Sequence, residues 1–186
     1  MPQPSDLQHR RSIRLRDYDY AANGAYFVTL CTHGKTCRFG AVVDGEMQLN
    51  ESGEMVRDEW LRTAEVRPQV VLDAFVIMPN HLHGIILIDH PVGATRWVAR
   101  STSSDCDNRA THRVAPTPGP ATGSLGAMIG QFKAAVTRRL NATGGVNGAL
   151  WQRNYYEHVI RNQADFEAIR DYIEANPARW AEDEYR

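Results

Sequence analysis

A chain of 186 residues that is 42% hydrophobic, 23% charged and 9% aromatic has the make-up of a folded protein, which excludes wholesale disorder, a collagen-like repeat and a disulfide scaffold. The length suits one domain around one core, and the three cysteines (Cys31, Cys37, Cys106) form no CxxC pair. The net charge of −1 hides an asymmetry: residues 95–161 hold nine basic and three acidic groups, whereas the residues from Asp165 onward hold seven acids and three arginines.

No charged start followed by an apolar run marks a secretory leader, and the runs Val70 to Met78 and Gly84 to Ile88 are too short to span a bilayer. A reduced, cytoplasmic protein is therefore expected. Its basic strip is compatible with nucleic acid.

In chain order, residues 1–19 read as a basic arm carrying Arg10, Arg11, Arg14 and Arg16, ahead of a single domain over 20–186. Tyr26 to Thr32 is β-branched and aromatic and predicts a strand. Phe39 to Leu49 predicts two short strands joined at Asp44-Gly45, a favoured two-residue hairpin turn. A helix from about Gly53 to Ala64 follows, capped by Asn50 or Ser52 and stopped by Pro68. The nearly continuous apolar run Val70 to Met78 predicts a strand buried on both faces; Pro79-Asn80 turns the chain, and His81 to Ile88 returns as a strand.

Residues 90–123 are loaded with Ser, Thr, Ala, Gly and Pro and predict a flexible insertion. After Ser124, the spacing of Leu125, Met128, Ile129, Phe132, Val136 and Leu140 predicts a helix. Leu150 to Ile160 suits a strand, and Asp165 to Asn176 a last helix ended by Pro177. This order predicts an α+β, ferredoxin-like βαββαβ antiparallel sheet with an added β-hairpin and an extra C-terminal helix.

Two local patterns carry chemistry. In Met78-Pro-Asn-His-Leu-His-Gly84, strand alternation puts His81 and His83 on one face and Leu82 on the other, so two imidazoles offer two corners of a divalent-metal site. Gly84 leaves room for a close approach of backbone or ligand. In Asp171-Tyr-Ile-Glu-Ala-Asn-Pro177, Tyr172 and Asn176 are one helical turn apart, which would put a phenol beside an amide oxygen fit to be a third ligand for Mg²⁺ or Mn²⁺. Each pattern alone also fits an ordinary core or helix end.

Taken together, the segments YFVTLCTHG, VIMPNHLHGIIL, SLGAMIGQFKAAVTRRLN, LWQRNYYEHVIRN and DYIEANP, in this order, resemble the REP-associated tyrosine transposases, which belong to the HUH single-strand transposases of the insertion-sequence-200-like group. The resemblance runs from about Arg11 to Trp180, with 90–123 as the main departure. It implies a metal-dependent transesterase that cuts and rejoins single-stranded DNA beside palindromic (REP) hairpins through a 5′-phosphotyrosine. The family's histidine pair falls on His81 and His83, its nucleophile on Tyr172 and its third ligand on Asn176, where transposases proper often carry Gln.

Arg10, Arg11 and Arg14 in the arm, and Lys133, Arg138 and Arg139 on one helix, are candidate phosphate contacts. Trp151, Tyr155 and Tyr156 are candidates for base stacking, and Glu157 and His158 for support of the site. Two other readings stay open: a non-cleaving hairpin-binding module of the same fold, and an unrelated HxH metallohydrolase that does not use Tyr172.

Overall fold

The computed structural model describes residues 20, 22–89, 123–144, 148–183 and 185. The basic arm, with Arg10, Arg11 and Arg14, and nearly all of the insertion lie outside the described residues. The elements in order are β1 (Gly24–Cys31), β2 (Gly40–Val43), β3 (Glu46–Leu49), α1 (Glu51–Glu65), β4 (Val70–Ile77), β5 (His81–Ile88), α2 (Leu125–Ala142), β6 (Tyr156–Ile160) and α3 (Gln163–Ala175); short 3₁₀ turns occupy His33–Lys35 and Pro177–Glu182.

Four strands form one antiparallel sheet in the order β4-β5-β1-β6. Strands β1 and β4, joined through the hairpin and α1, run the same way with β5 between them, which is the split βαβ arrangement of a ferredoxin-like sheet. The β2–β3 hairpin turns at Asp44-Gly45, both with positive φ (53° and 79°), as a two-residue turn matched to the strand twist requires. Three element ends differ from expectation. Strand β6 covers only Tyr156–Ile160, because Trp151 pairs singly with Thr32 and the chain then turns. Helix α1 starts at Glu51 under an Asn50 cap, whose side chain accepts from Gly53 N at 2.9 Å. Helix α3 starts at Gln163 because Asn162 caps it through Asp165 N at 2.8 Å.

Strand alternation sends the two faces of the sheet to different cores. Tyr26, Val28 and Leu30 of β1 and Leu82 and Ile86 of β5 pack against α1 and α2 through Val56, Trp60, Met128, Phe132 and Val136. Ala25, Phe27 and Ile85 point the other way and meet Ile173, Phe166 and Ile169 of α3. Arg170 Nε donates to Asp73 Oδ1 at 2.9 Å, tying α3 to the bulge in β4 between Leu72 and Phe75. Gly84 answers to packing here: a Cβ would stand 2.5 Å from Trp60 Cζ2, so the glycine makes room for the buried indole.

Among the described residues no helix is long and apolar enough to cross a membrane.

Candidate metal and tyrosine centre

His81 and His83 open β5 on the face that α3 covers, opposite Cys31 and Thr29 of β1 in the antiparallel register. Both rings are fully buried, and their centroids lie 4.5 Å apart. For His81 the hydrogen bonds settle which nitrogen faces the centre. Asn80 donates its amide protons to Lys35 O (3.1 Å) and Tyr185 O (2.7 Å), so its Oδ1 is the acceptor that meets His81 Nδ1 at 2.8 Å. His81 therefore carries its proton on Nδ1 and turns the Nε2 lone pair inward. The His83 ring is held from both sides, with Nδ1 at 2.8 Å from Thr29 Oγ1 and Nε2 at 3.3 Å from Tyr172 Oη.

Burial favours the neutral rings. It pushes His81 down to about 4, partly opposed by the Asn176 side chain, and pushes His83 down to about 2, with the neighbouring His81 adding to the shift. Neutral imidazoles with oriented second nitrogens are the form that ligates metals.

Tyr172 stands near the end of α3, partly exposed, with its ring 5.2 Å from His83 and 6.1 Å from Phe27. Asn176, one turn on, caps the helix and is buried, and its Oδ1 has no hydrogen-bond partner. A further ligand type joins them. Asp183, just after the 3₁₀ turn that follows α3, brings its carboxylate to 3.6 Å from His81 Nε2. Ligand atoms of His81, His83 and Asp183 all lie within 4.8 Å of one another, about the span that one ion bound at roughly 2.1–2.6 Å can bridge. Nothing in the acidic run Glu182 to Glu184 marks Asp183 apart from its neighbours; only the fold after Pro177 selects it.

The orphaned acceptors His81 Nε2, Asn176 Oδ1 and Asp183 Oδ2 are all buried. Burying polar atoms unpaired is costly, and a divalent cation is the group that would satisfy these three together. The residues present therefore fit a metal.

The other sequence candidates fall elsewhere. Lys133, Arg138 and Arg139 lie on α2, in the helix layer across the sheet from the histidines. Lys133 is turned inward: Nζ donates to Gln152 O and Asn154 O at 3.0 Å each and sits over the Trp151 and Tyr155 rings. Arg139 pairs with Asp58 (2.8 Å) and Glu59 (3.6 Å) of α1. Arg138 is exposed and, with Arg62, Arg67 and Arg139, lines a cleft of about 590 Å³ between α1 and α2. Trp151 is a core residue against Phe39 and Phe132, whereas Tyr156 is exposed, edge-on to Phe27. His158 bonds Asp165 at 3.0 Å, which serves the start of α3.

No family model matches the chain. An uncharacterized protein of Haemophilus influenzae is 39% identical over 179 residues, covering 96% of this chain and 93% of that one. Among solved structures, a REP-associated tyrosine transposase bound to a REP hairpin superposes with a TM-score of 0.57 at 19% identity, covering 91% of this chain and 74% of that chain. The chain thus belongs to one family with the Haemophilus influenzae protein, and its fold is that of the REP-associated tyrosine transposase.

Proposed function

We propose that the protein is an HUH-type tyrosine transposase, a metal-dependent DNA strand transferase acting on single-stranded DNA beside palindromic hairpins. One observation carries the reading: the Tyr172 hydroxyl lies 3.3 Å from His83 Nε2 of its own chain, at the edge of a buried set of histidine, amide and carboxylate ligands. A phenol held against metal-ligating groups, on this fold, is what tyrosine-dependent strand cutting needs. The solved structure of the same fold, bound to a REP hairpin, supports the substrate class.

His81, His83 and Asn176 would hold Mg²⁺ or Mn²⁺, which supplies Lewis-acid stabilisation of the charge that develops on the scissile phosphate. Tyr172 Oη forms the new bond to phosphorus as the bond to the 3′ oxygen breaks, leaving a 5′-phosphotyrosine and a 3′-hydroxyl. The phenol gives up one proton and the leaving oxygen takes one up, so the step is neutral overall. Because the phosphodiester is conserved in the tyrosine ester, an incoming 3′-hydroxyl reverses the step and joins strands without a nucleotide cofactor. Thr29 and Asn80 position the imidazoles, and Phe27 supports both the His83 and Tyr172 rings. Tyrosine and histidines meet within one chain, so in this reading the protein would cut with its own Tyr172.

For DNA contact, Arg138 with its cleft and the arginines Arg10, Arg11 and Arg14 are the residues we favour; Lys133 and Arg139, already engaged within the protein, are weaker candidates.

The test is a denaturing gel of labelled hairpin-containing single strands incubated with wild type or Tyr172→Phe, in Mn²⁺ or EDTA. A covalent protein–DNA band that needs both metal and Tyr172 is expected. Cleavage persisting in Tyr172→Phe would favour a metallohydrolase, and hairpin binding without cleavage in Mn²⁺ would favour a binding module.

A further inference from the structure

The acidic residue beside the histidines has a role that the strand and helix motifs do not supply. Asp183 Oδ1 accepts from Tyr185 N at 2.7 Å, which fixes the carboxylate plane and leaves Oδ2 buried, unpartnered and aimed at His81 Nε2. The facing nitrogen is also an acceptor, because Asn80 requires His81 to carry its proton on Nδ1. Two lone-pair donors thus confront each other at 3.6 Å in a buried setting, with the orphaned Asn176 Oδ1 also buried and the Asn176 side chain acting on the same ring. A divalent cation between them would satisfy both groups at once.

We propose that Asp183 is a ligand of the same divalent ion as His81, His83 and Asn176, so that metal binding and docking of residues 177–183 and Tyr185 are coupled. The inference rests on the reading that the histidine pair holds a metal. The coupling follows from chain placement. Two ligands stand on the rigid strand β5, whereas Asp183 reaches them only when the turn Pro177–Glu182 folds back; Trp180 and Tyr185 then pack on the His81 ring at 6.1 and 5.0 Å. Asn80 joins the two sides, since one side chain orients His81 and holds Tyr185 O. Four protein ligands would leave a six-coordinate ion able to take substrate oxygens as well.

The experiment is a Mn²⁺ titration of the full chain followed by the electron paramagnetic resonance of free Mn²⁺, paired with hydrogen exchange of the segment 177–185 with and without the metal. Asp183→Asn keeps the acceptor for Tyr185 N and puts an amide NH₂, which has no lone pair to give, where Oδ2 stood. We expect Mn²⁺ affinity at least about tenfold weaker than wild type, a loss no smaller than that of an outer partner of a metal ligand. We also expect Mn²⁺-dependent protection of the segment in wild type and its absence in the variant. Wild-type affinity in Asp183→Asn, alongside lost binding in His81→Ala, would overturn the role of Asp183 and leave the metal reading standing. Absence of Mn²⁺ binding to wild type would overturn both. If Asp183→Asn fails to fold, the wild-type exchange decides alone: protection that does not respond to Mn²⁺ refutes the coupling.

Discussion

The buried histidine pair makes a prediction about acid stability whose size follows from the structure. Burial holds His81 at about 4 and His83 at about 2 in the folded protein, whereas both titrate near ~6.5 in the unfolded chain. Between these values the unfolded chain binds a proton that the folded chain refuses, so stability is full above about pH 6.5 and is lost as pH falls. By linkage each ring costs about 2 kcal/mol between pH 7 and pH 5, and the pair about 4 kcal/mol. Against a total stability of roughly 5–15 kcal/mol that is a large fraction.

Urea unfolding at pH 5, 6 and 7 in EDTA, followed by the fluorescence of the buried Trp60 and Trp151, measures this loss. Other groups also titrate in this range, so the informative quantity is the difference between wild type and His83→Gln. The variant should lose about 2 kcal/mol less than wild type between pH 7 and pH 5. Parallel curves would mean that folded His83 accepts a proton at pH 5, and the picture of a dry, neutral, metal-ready pair would be wrong.

Two further substitutions test the packing that positions the centre. Gly84→Ala would press a methyl against Trp60, itself packed on Phe132 and Phe75, and should destabilise by about 1–3 kcal/mol; an unchanged melting temperature would refute the close-approach role of the glycine. Lys133→Met keeps the aliphatic stem but loses both carbonyl bonds and the contacts over Trp151 and Tyr155, so a loss of about 1 kcal/mol is expected in urea unfolding. Unchanged stability together with weakened hairpin binding in a gel shift would return Lys133 to the list of phosphate contacts.

Local chemistry made much of the fold legible. The Asp44-Gly45 turn, the Asn50 cap and the apolar spacing of α2 are each decided within a few residues, and the structure uses them as the sequence predicts. Alternation along β5 was enough to put His81 and His83 on one face and Leu82 and Ile86 on the other. Boundaries were less legible where a partner distant in sequence decides. Leu150 to Tyr155 has strand-forming residues, yet the structure pairs Trp151 singly with Thr32, because Lys133 from α2 clasps the carbonyls that follow.

The kinds of ligand and nucleophile and their local geometry are legible along the chain, because strand and helix periods are set by neighbouring residues. Which of these groups meet depends on how the elements pack. The phenol of Tyr172 reaches His83 because α3 packs on the odd-numbered face of β1 and β5 through Phe27, Ile85 and Ile173. The basic residues of α2, by contrast, lie in the helix layer on the other side of the sheet. Asp183 had no signature at all, since one acid in an acidic run looks like the next. Its place beside His81 comes from the turn after Pro177, held by contacts from Asn80 more than a hundred positions earlier. Contacts across such separations depend on how whole elements stack, and no window of neighbouring residues contains that information.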